Sequence, residues 1–332
     1  MRMNKAAVIN SFSHISYEQS INLLERIKGG LFGLAAGDAL GATLEFMNRD
    51  EIQRKYGVLK DIIGEGWLGL QPGECTDDTA MTLAVAMGIQ DNPGNPHRAV
   101  GQHFVSWYDT KPRDIGNIVS TSIYNFKKYD SWAEASQKTH VSLSNRSAGN
   151  GSLMRTLPVS LAYRHDKDKM CRISAQISHM THYDSQAAAA CIFYNLLVLS
   201  ALEGNPDKDS MIFTALAEAK AYCSANLPAL PKGYWEDIAN SISLRKNQIW
   251  ASGFVLDSLI AALWVFYHFP DFESTVIEAV NLGDDADTVG AICGGLAGCF
   301  YGYESIPGRW LEKLKVKDTI EKTARGLLDL NV

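Results

Sequence analysis

Two acidic clusters stand far apart in this chain, Thr76-Asp77-Asp78-Thr79 and Asp284-Asp285-Ala286-Asp287-Thr288. Each comes just before an apolar, helix-like stretch. Carboxylates clustered beside apolar segments need a neutralising partner, because unpaired buried charge is very unfavourable. Oxygen ligands of this kind suit hard divalent cations such as Mg²⁺ or Mn²⁺, not zinc. On a regular helix, neighbouring residues point about 100° apart, so neither Asp77 and Asp78 nor Asp285 and Asp287 share an ion from mid-helix. At a helix N-terminus the chain is still turning and such pairs can converge. Thr76 before Asp77, and Asp287-Thr288 before Val289, fit helix starts, where Asp and Thr also cap free N–H groups. Capping alone is the competing reading of either cluster. Taken together, the Asp carboxylates and Thr hydroxyls are the complement for two metals roughly 3.5–4 Å apart that share a water.

Other segments carry weaker signals. Asn145-Arg146-Ser147-Ala148-Gly149-Asn150-Gly151-Ser152-Leu153-Met154-Arg155 is rich in small residues and leads into a helix. Its backbone N–H groups could approach an anion, but it lacks the Gly-Lys-Ser/Thr ending of a nucleotide P-loop, and an ordinary loop has the same composition. His179 and His182 are spaced i,i+3 without a third soft ligand, so hydrogen bonding or helix capping is the default. Arg113-Asp114-Ile115-Gly116-Asn117 reads as a polar turn. His165-Asp166 superficially resembles a phosphohydrolase pair, but it sits in the charged run from Arg164 to Lys169, the pattern of a solvated loop.

The elements that must position these residues are helical. Leu23, Leu24, Ile27, Leu31 and Leu34 recur at helical spacing. Gly29, Gly33, Gly37 and Gly41 fall on one face of the same helix, which suggests close approach of another backbone, and Asp38 and Glu45 beside them are site candidates. Further helices are expected near 79–90, 99–108, 168–177, 184–202, 210–225, 255–269 and 289–301. In 255–269, Leu256, Leu259, Ile260, Leu263 and Phe266 form one apolar face. Period-two alternation is rare, so the expected class is all-α. The segments 91–96, 204–207 and 227–234 read as connections. Residues 1–16 are polar without a clear period and read as an arm.

Composition bounds the partners. The chain has 332 residues, 46% hydrophobic and 20% charged, ample for a large core. A net charge of -6 without a basic run argues against a nucleic-acid partner. The longest apolar run, near 191–202, is short for a bilayer span and contains Asn195, so no membrane role is expected. The six cysteines form no Cys-x-x-Cys pair. Scattered through apolar stretches, they read as reduced thiols, and with no apolar signal-peptide core at the N-terminus a cytoplasmic location is expected.

Taken together, these segments resemble the ADP-ribosylglycohydrolase family, including its dinitrogenase-reductase-activating and ADP-ribosyl-arginine hydrolase branches. The matching segments are Gly29–Phe46 (GGLFGLAAGDALGATLEF), Glu74–Met81 (ECTDDTAM), Asp114–Asn117 (DIGN), Ser147–Arg155 (SAGNGSLMR), Thr181-His182, Gly253–Phe266 and Asn281–Gly295. They are collinear and reach from Ile27 to Tyr303. The resemblance implies one compact orthogonal helical bundle over 17–332 and a binuclear Mg²⁺ or Mn²⁺ centre. It implies Thr76, Asp77, Asp78, Asp285, Asp287 and Thr288 as metal ligands, with Asp284 behind them. Glu45 would lie beside the metals, and Asp77, Asp114 and Glu45 would carry catalysis. Asn117 would contact ribose. Gly149, Asn150, Gly151 and Ser152 would hold the pyrophosphate, with Met154 also on the substrate side. His182 would line the ribose and phosphate side, and Phe254 would cover adenine. The implied reaction is metal-dependent hydrolysis of the N-glycosidic bond in an ADP-ribosylated protein, with arginine as acceptor. An alternative is immunity against an ADP-ribosyltransferase toxin, by reversing its modification or by plugging its active site with the arm. An inactive ADP-ribose binder is a further reading, and the complete ligand set argues against it.

Overall fold

The computed structural model describes residues 21–330; the arm read at 1–16 lies outside them. The described chain forms α1 (Leu23–Gly41), α2 (Arg49–Tyr56), α3 (Asp77–Asp91), α4 (His97–Asp109), α5 (Asn117–Tyr129), α6 (Trp132–Ser142), α7 (Leu157–Ala162) and α8 (Lys167–His179). It continues with α9 (Ser185–Leu202), α10 (Lys208–Asn226), α11 (Tyr234–Asn240), α12 (Val255–His268), α13 (Phe272–Val280), α14 (Ala286–Tyr301), α15 (Gly308–Lys313) and α16 (Lys317–Leu328). Among the described residues the fold is all-α, as the scarcity of alternating segments suggests. Extended pairing is confined to the isolated bridges Glu65 to Leu70 and Gly149 to Phe254.

Each expected helix is present within about two or three residues of its expected ends, the usual latitude for boundaries. Others fall where none was expected. Helix α5 is rich in β-branched and polar residues, which lowers its intrinsic propensity. Burial of Val119, Ser122 and Ile123 against the rest of the protein holds it instead. Helix α16 buries Ile320, Thr323, Ala324 and Leu327, a regular helical stripe.

Helices α1 and α14 run antiparallel and form the most extensive helix contact in the fold. A Cβ placed on Gly29, Gly33 or Gly37 would fall on the backbone of Gly298, Gly294 or Gly290, and a Cβ on Gly41 would fall on Ala286. The reciprocal positions on α14 meet the α1 backbone in the same way. The glycine stripe therefore serves backbone-to-backbone packing along both helices. Because the helices are antiparallel, the C-terminal end of α1 lies beside the N-terminal end of α14. Helix α9 has the length and mean hydropathy (1.6) of a bilayer span, but 83% of it is buried inside the protein, as in a core helix.

Gly37→Val should lower unfolding free energy by about 3 kcal/mol or more, since the added side chain has no room. Gly94→Ala, whose Cβ would meet only Asn92 Oδ1 at 3.7 Å, should stay within about 0.5 kcal/mol. Urea denaturation of both variants checks the difference.

Candidate metal and substrate site

The acidic clusters meet at the N-termini of α3 and α14. Thr288 Oγ1 donates to Asp78 Oδ2 at 3.2 Å across 210 residues of sequence. Thr76 Oγ1 donates to the same oxygen at 3.2 Å. Glu45, Asp285 and Asp287 each offer a carboxylate oxygen within 4.8 Å of one another. Asp77 and Asp78 lie outside that tightest group; the Thr288 hydroxyl links Asp78 to it, and Asp285 is close enough to raise the pKa of both.

The capping alternative holds at one helix and fails at the other. Thr76 caps α3, its hydroxyl accepting from Asp78 N at 3.4 Å. Asp285 holds the cap position of α14 but makes no capping bond. Its Oδ2 instead accepts from Asn150 Nδ2 at 2.6 Å. Both first turns also present the positive end of a helix dipole to the carboxylates.

Burial raises the pKa of Asp77, Asp78, Asp114, Asp285 and Asp287, and the neighbouring carboxylates add to it. Glu45 is pushed up to about 8, by burial first, although the Trp67 indole N–H donates to its Oε2 at 2.5 Å. Asp38 is raised to about 6 by burial, against the hydrogen bonds it accepts from the backbone and hydroxyl of Thr79 and the backbone of Thr76. Asp38 thus clamps the start of α3 and fixes the direction of Asp77 and Asp78. Among the described residues, the buried oxygens Asp78 Oδ1 and Asp287 Oδ1 have no hydrogen-bond partner. An orphaned, acceptor-only oxygen set of this kind fits a hard divalent cation.

A cavity of about 920 Å³ opens over this cluster, reaching Asn117, Gly149, Gly151, Met154 and His182. A smaller one of about 430 Å³ adjoins it and holds Phe254, Asn145 and Asp184; Arg146 lines both. A separate cavity of about 710 Å³ lies between α6, α8 and the 228–231 loop, and of the acidic residues it touches only Asp184.

The glycine loop differs from expectation in two places. Ser152 faces away from the cavity, accepting from Ser178 Oγ at 2.9 Å and from Cys191 Sγ. Asn150 directs its amide to Asp285 and Ser258, and its backbone N–H to Gly253 O at 3.1 Å. It therefore braces a carboxylate and joins the loop to the segment bearing Phe254. Gly149 and Gly151 are needed for fit: a Cβ would stand 2.8 Å from Ile118 Cδ1 and 3.1 Å from His182 Cε1, respectively. Asp284 is also corrected. Its side chain is exposed at the cavity rim rather than set behind the ligands.

His182 is buried. Arg155 Nη2 donates to Thr181 Oγ1 at 2.7 Å, and that hydroxyl shares a hydrogen bond with His182 Nδ1, also at 2.7 Å. Burial, with Arg155 and His179 nearby, holds the imidazole pKa well below the usual range. The ring's Nε2 lies on the side of Gly149 and Gly151. His179 is in a different cavity, so the two histidines form no shared ligand set. Asp166 caps α8 by accepting from Lys169 N, which accounts for the His165-Asp166 pair. Sequence reading missed Trp67, Arg146 and Arg155 as parts of this environment. Only Arg146 and Arg155 carried a hint, from the small-residue loop between them.

The family model for ADP-ribosylglycohydrolase matches residues 19–331. The chain is 33% identical over 306 residues to ADP-ribosyl-[dinitrogen reductase] glycohydrolase of Rhodospirillum rubrum, covering 92% of this chain and 95% of that protein. It is 30% identical over 312 residues to ADP-ribosylarginine hydrolase Tri1 of Serratia proteamaculans, covering 92% and 79%. A solved structure described as an ADP-ribosylglycohydrolase-related protein complex superposes with a TM-score of 0.79 at 29% identity, covering 94% of this chain and 99% of that one.

The raised carboxyls fix the sign of a pH effect. With folded pKa values above the ordinary value of about 4, these groups favour the fold at low pH. That contribution is lost as pH rises through about 6 for Asp38 and about 8 for Glu45. A cation replaces those protons. The rise in Tm on adding Mg²⁺ or Mn²⁺ to chelator-treated protein should therefore be larger at pH 8 than at pH 6. Thermal denaturation at both pH values checks this, and equal rises would contradict it.

Proposed function

The chain belongs to the ADP-ribosylglycohydrolase family, and on that premise we propose that it hydrolyses the N-glycosidic bond between ADP-ribose and an arginine side chain of a modified protein. The observation that carries the reading is the pair of orphaned, buried oxygens, Asp78 Oδ1 and Asp287 Oδ1, beneath a cavity of about 920 Å³. The similarity to the relatives named for dinitrogen reductase and arginine substrates supports the acceptor.

Thr76, Asp77, Asp78, Asp285, Asp287 and Thr288 would hold two Mg²⁺ or Mn²⁺, with Glu45 beside them. When bound, the ions would supply Lewis acidity to the ribose hydroxyls and to a nearby water. The protein's own groups do the rest. Asn117, exposed at the start of α5, reaches the ribose. His182 Nε2 and the Arg146 guanidinium face the diphosphate, and Phe254 covers the adenine. Met154 closes the floor. Asp77 and Asp114 are neighbours. One of these two carboxylates takes a proton from the attacking water. The water oxygen bonds to the anomeric carbon, the bonding pair leaves with the guanidine nitrogen, and the proton passes to that nitrogen. Stabilisation of the positive, oxocarbenium-like sugar by surrounding carboxylates is the dominant contribution.

Asp78→Ala and Asp287→Ala should each reduce release of ADP-ribose from an arginine-modified protein by roughly a hundredfold or more, and excess chelator should do the same to the wild type. Retained helical circular dichroism would separate this from unfolding. Wild-type rates in either variant would sink the reading. Asp38→Asn, which changes no ligand side chain but loosens the clamp on the start of α3, should weaken divalent-ion affinity about ten- to a hundredfold by calorimetry, as supporting residues commonly do.

A further inference from the structure

Phe46 and Trp67 stand where a soluble protein has little structural reason to expose them. They are 68% and 53% exposed and line the mouth of the large cavity. Their ring centroids lie 5.3 Å apart at 48°. Phe46 has φ +63°, a left-handed conformation that a bulky side chain rarely adopts. It is held there by a reciprocal backbone pair: Phe46 N donates to Asp284 O at 2.7 Å, and Asp284 N donates to Met47 O at 2.8 Å. Asp284 is itself left-handed, at φ +53°. Trp67 rides on a tight loop closed by Glu65 and Leu70 and tied to the end of α1 by Thr43 Oγ1, which donates to Gly64 O at 2.7 Å. Strain that presents an exposed aromatic ring without burying it points to a ligand.

The surroundings choose that ligand's charge. Glu45, Asp284 and Asp285 share this part of the lining, and Trp67 is bonded to Glu45. Arg146, the guanidinium in the lining, sits where the cavity joins its smaller neighbour beside Gly149. Aromatic faces ringed by carboxylates attract a planar, delocalised cation, and guanidinium stacks on such faces better than ammonium does. We infer that Phe46 and Trp67 form the acceptor clamp of the site, taking the guanidinium of the modified arginine against their exposed ring faces while the exposed Asp284 supplies the counter-charge. This rests on the reading that arginine-linked ADP-ribose is the substrate. It assigns acceptor selectivity to residues outside the metal-ligand set.

The test compares hydrolysis of ADP-ribosyl-agmatine, which carries the guanidinium, with calorimetric binding of free ADP-ribose, which does not, on the metal-loaded enzyme. Phe46→Ala and Trp67→Ala should each lower kcat/KM for the agmatine compound roughly three- to thirtyfold, mainly through KM, while the Kd for ADP-ribose stays within about twofold. Phe46→Tyr and Trp67→Phe should recover most of the loss; Trp67→Phe keeps a ring but removes the N–H bound to Glu45. Unchanged kcat/KM in Phe46→Ala would overturn the clamp. So would an equal loss of ADP-ribose binding, which marks a general structural defect. Failure of the wild type to cleave the agmatine compound while it binds ADP-ribose would instead reject arginine as the acceptor, and the clamp with it.

Discussion

Backbone-to-backbone packing of α1 on α14 is the constraint on which the site depends. Glycine at every fourth position lets the helices approach until carbonyls and Cα atoms touch. Any side chain there would wedge the pair apart. The antiparallel arrangement then sets the first turn of α14, with Asp285 and Asp287, beside the end of α1 and Glu45 just beyond it. Asp38, on the same helix, clamps the start of α3 and so brings in Asp77 and Asp78. Carboxylates far apart in sequence are fixed by rigid main chain rather than by flexible loops. Placing a site on rigid elements in this way keeps ligand geometry within narrow limits.

That rigidity holds together groups that repel one another. Asp38, Glu45, Asp77, Asp78, Asp114, Asp285 and Asp287 all have pKa values raised by burial, and for Glu45, Asp77, Asp78, Asp114 and Asp287 other members of the cluster add to the rise. The buried cation nearby, Arg155, does not neutralise them by direct pairing. It lies over the Phe104 ring, with its guanidinium carbon 4.5 Å from the centroid, and its Nη2 donates to Thr181 Oγ1 and the Ile177 carbonyl. The protein therefore leaves the cluster under-compensated and depends on helix dipoles, protons or added cations for balance. Such an arrangement is unfavourable for folding alone, and a binding role is the economical explanation for its presence.

The features legible in the sequence were those written as local chemistry. The Thr-Asp-Asp and Asp-x-Asp-Thr turns, the long apolar helices and the Gly29 to Gly41 stripe are each recognisable from residue type and spacing. The stripe announced a close partner but not which one, because the matching Gly290, Gly294 and Gly298 are legible only once the helices are paired. Helix α5 was hidden by its β-branched residues, since tertiary burial overrides propensity there. Ser152 looked like an anion contact because small loop residues suggest one. The 3₁₀ turn Asn150–Ser152 rotates its hydroxyl toward Ser178 instead. Trp67 could not be assigned, since nothing local tells an exposed tryptophan at a loop tip from one bonded to Glu45.

Charge along the cavity is segregated, and this limits how a substrate can lie in it. Carboxylates crowd the Glu45 and Asp285 side. Arg146, His182 and the glycine loop lie toward the smaller cavity with Phe254, where the one lining carboxylate, Asp184, is engaged in capping α9. On the proposed reading the substrate has the complementary polarity, with an anionic diphosphate toward adenine and a cationic guanidinium at the other end. Reversing it would set the guanidinium against Arg146 and take the diphosphate away from Arg146 and the glycine loop, a repulsive contact in place of attractive ones. Like-charge juxtapositions of this sort are worth several kcal/mol in a partly dry site. Orientation of the scissile bond over the acidic cluster thus follows from the charge layout, before any contact to the sugar is counted.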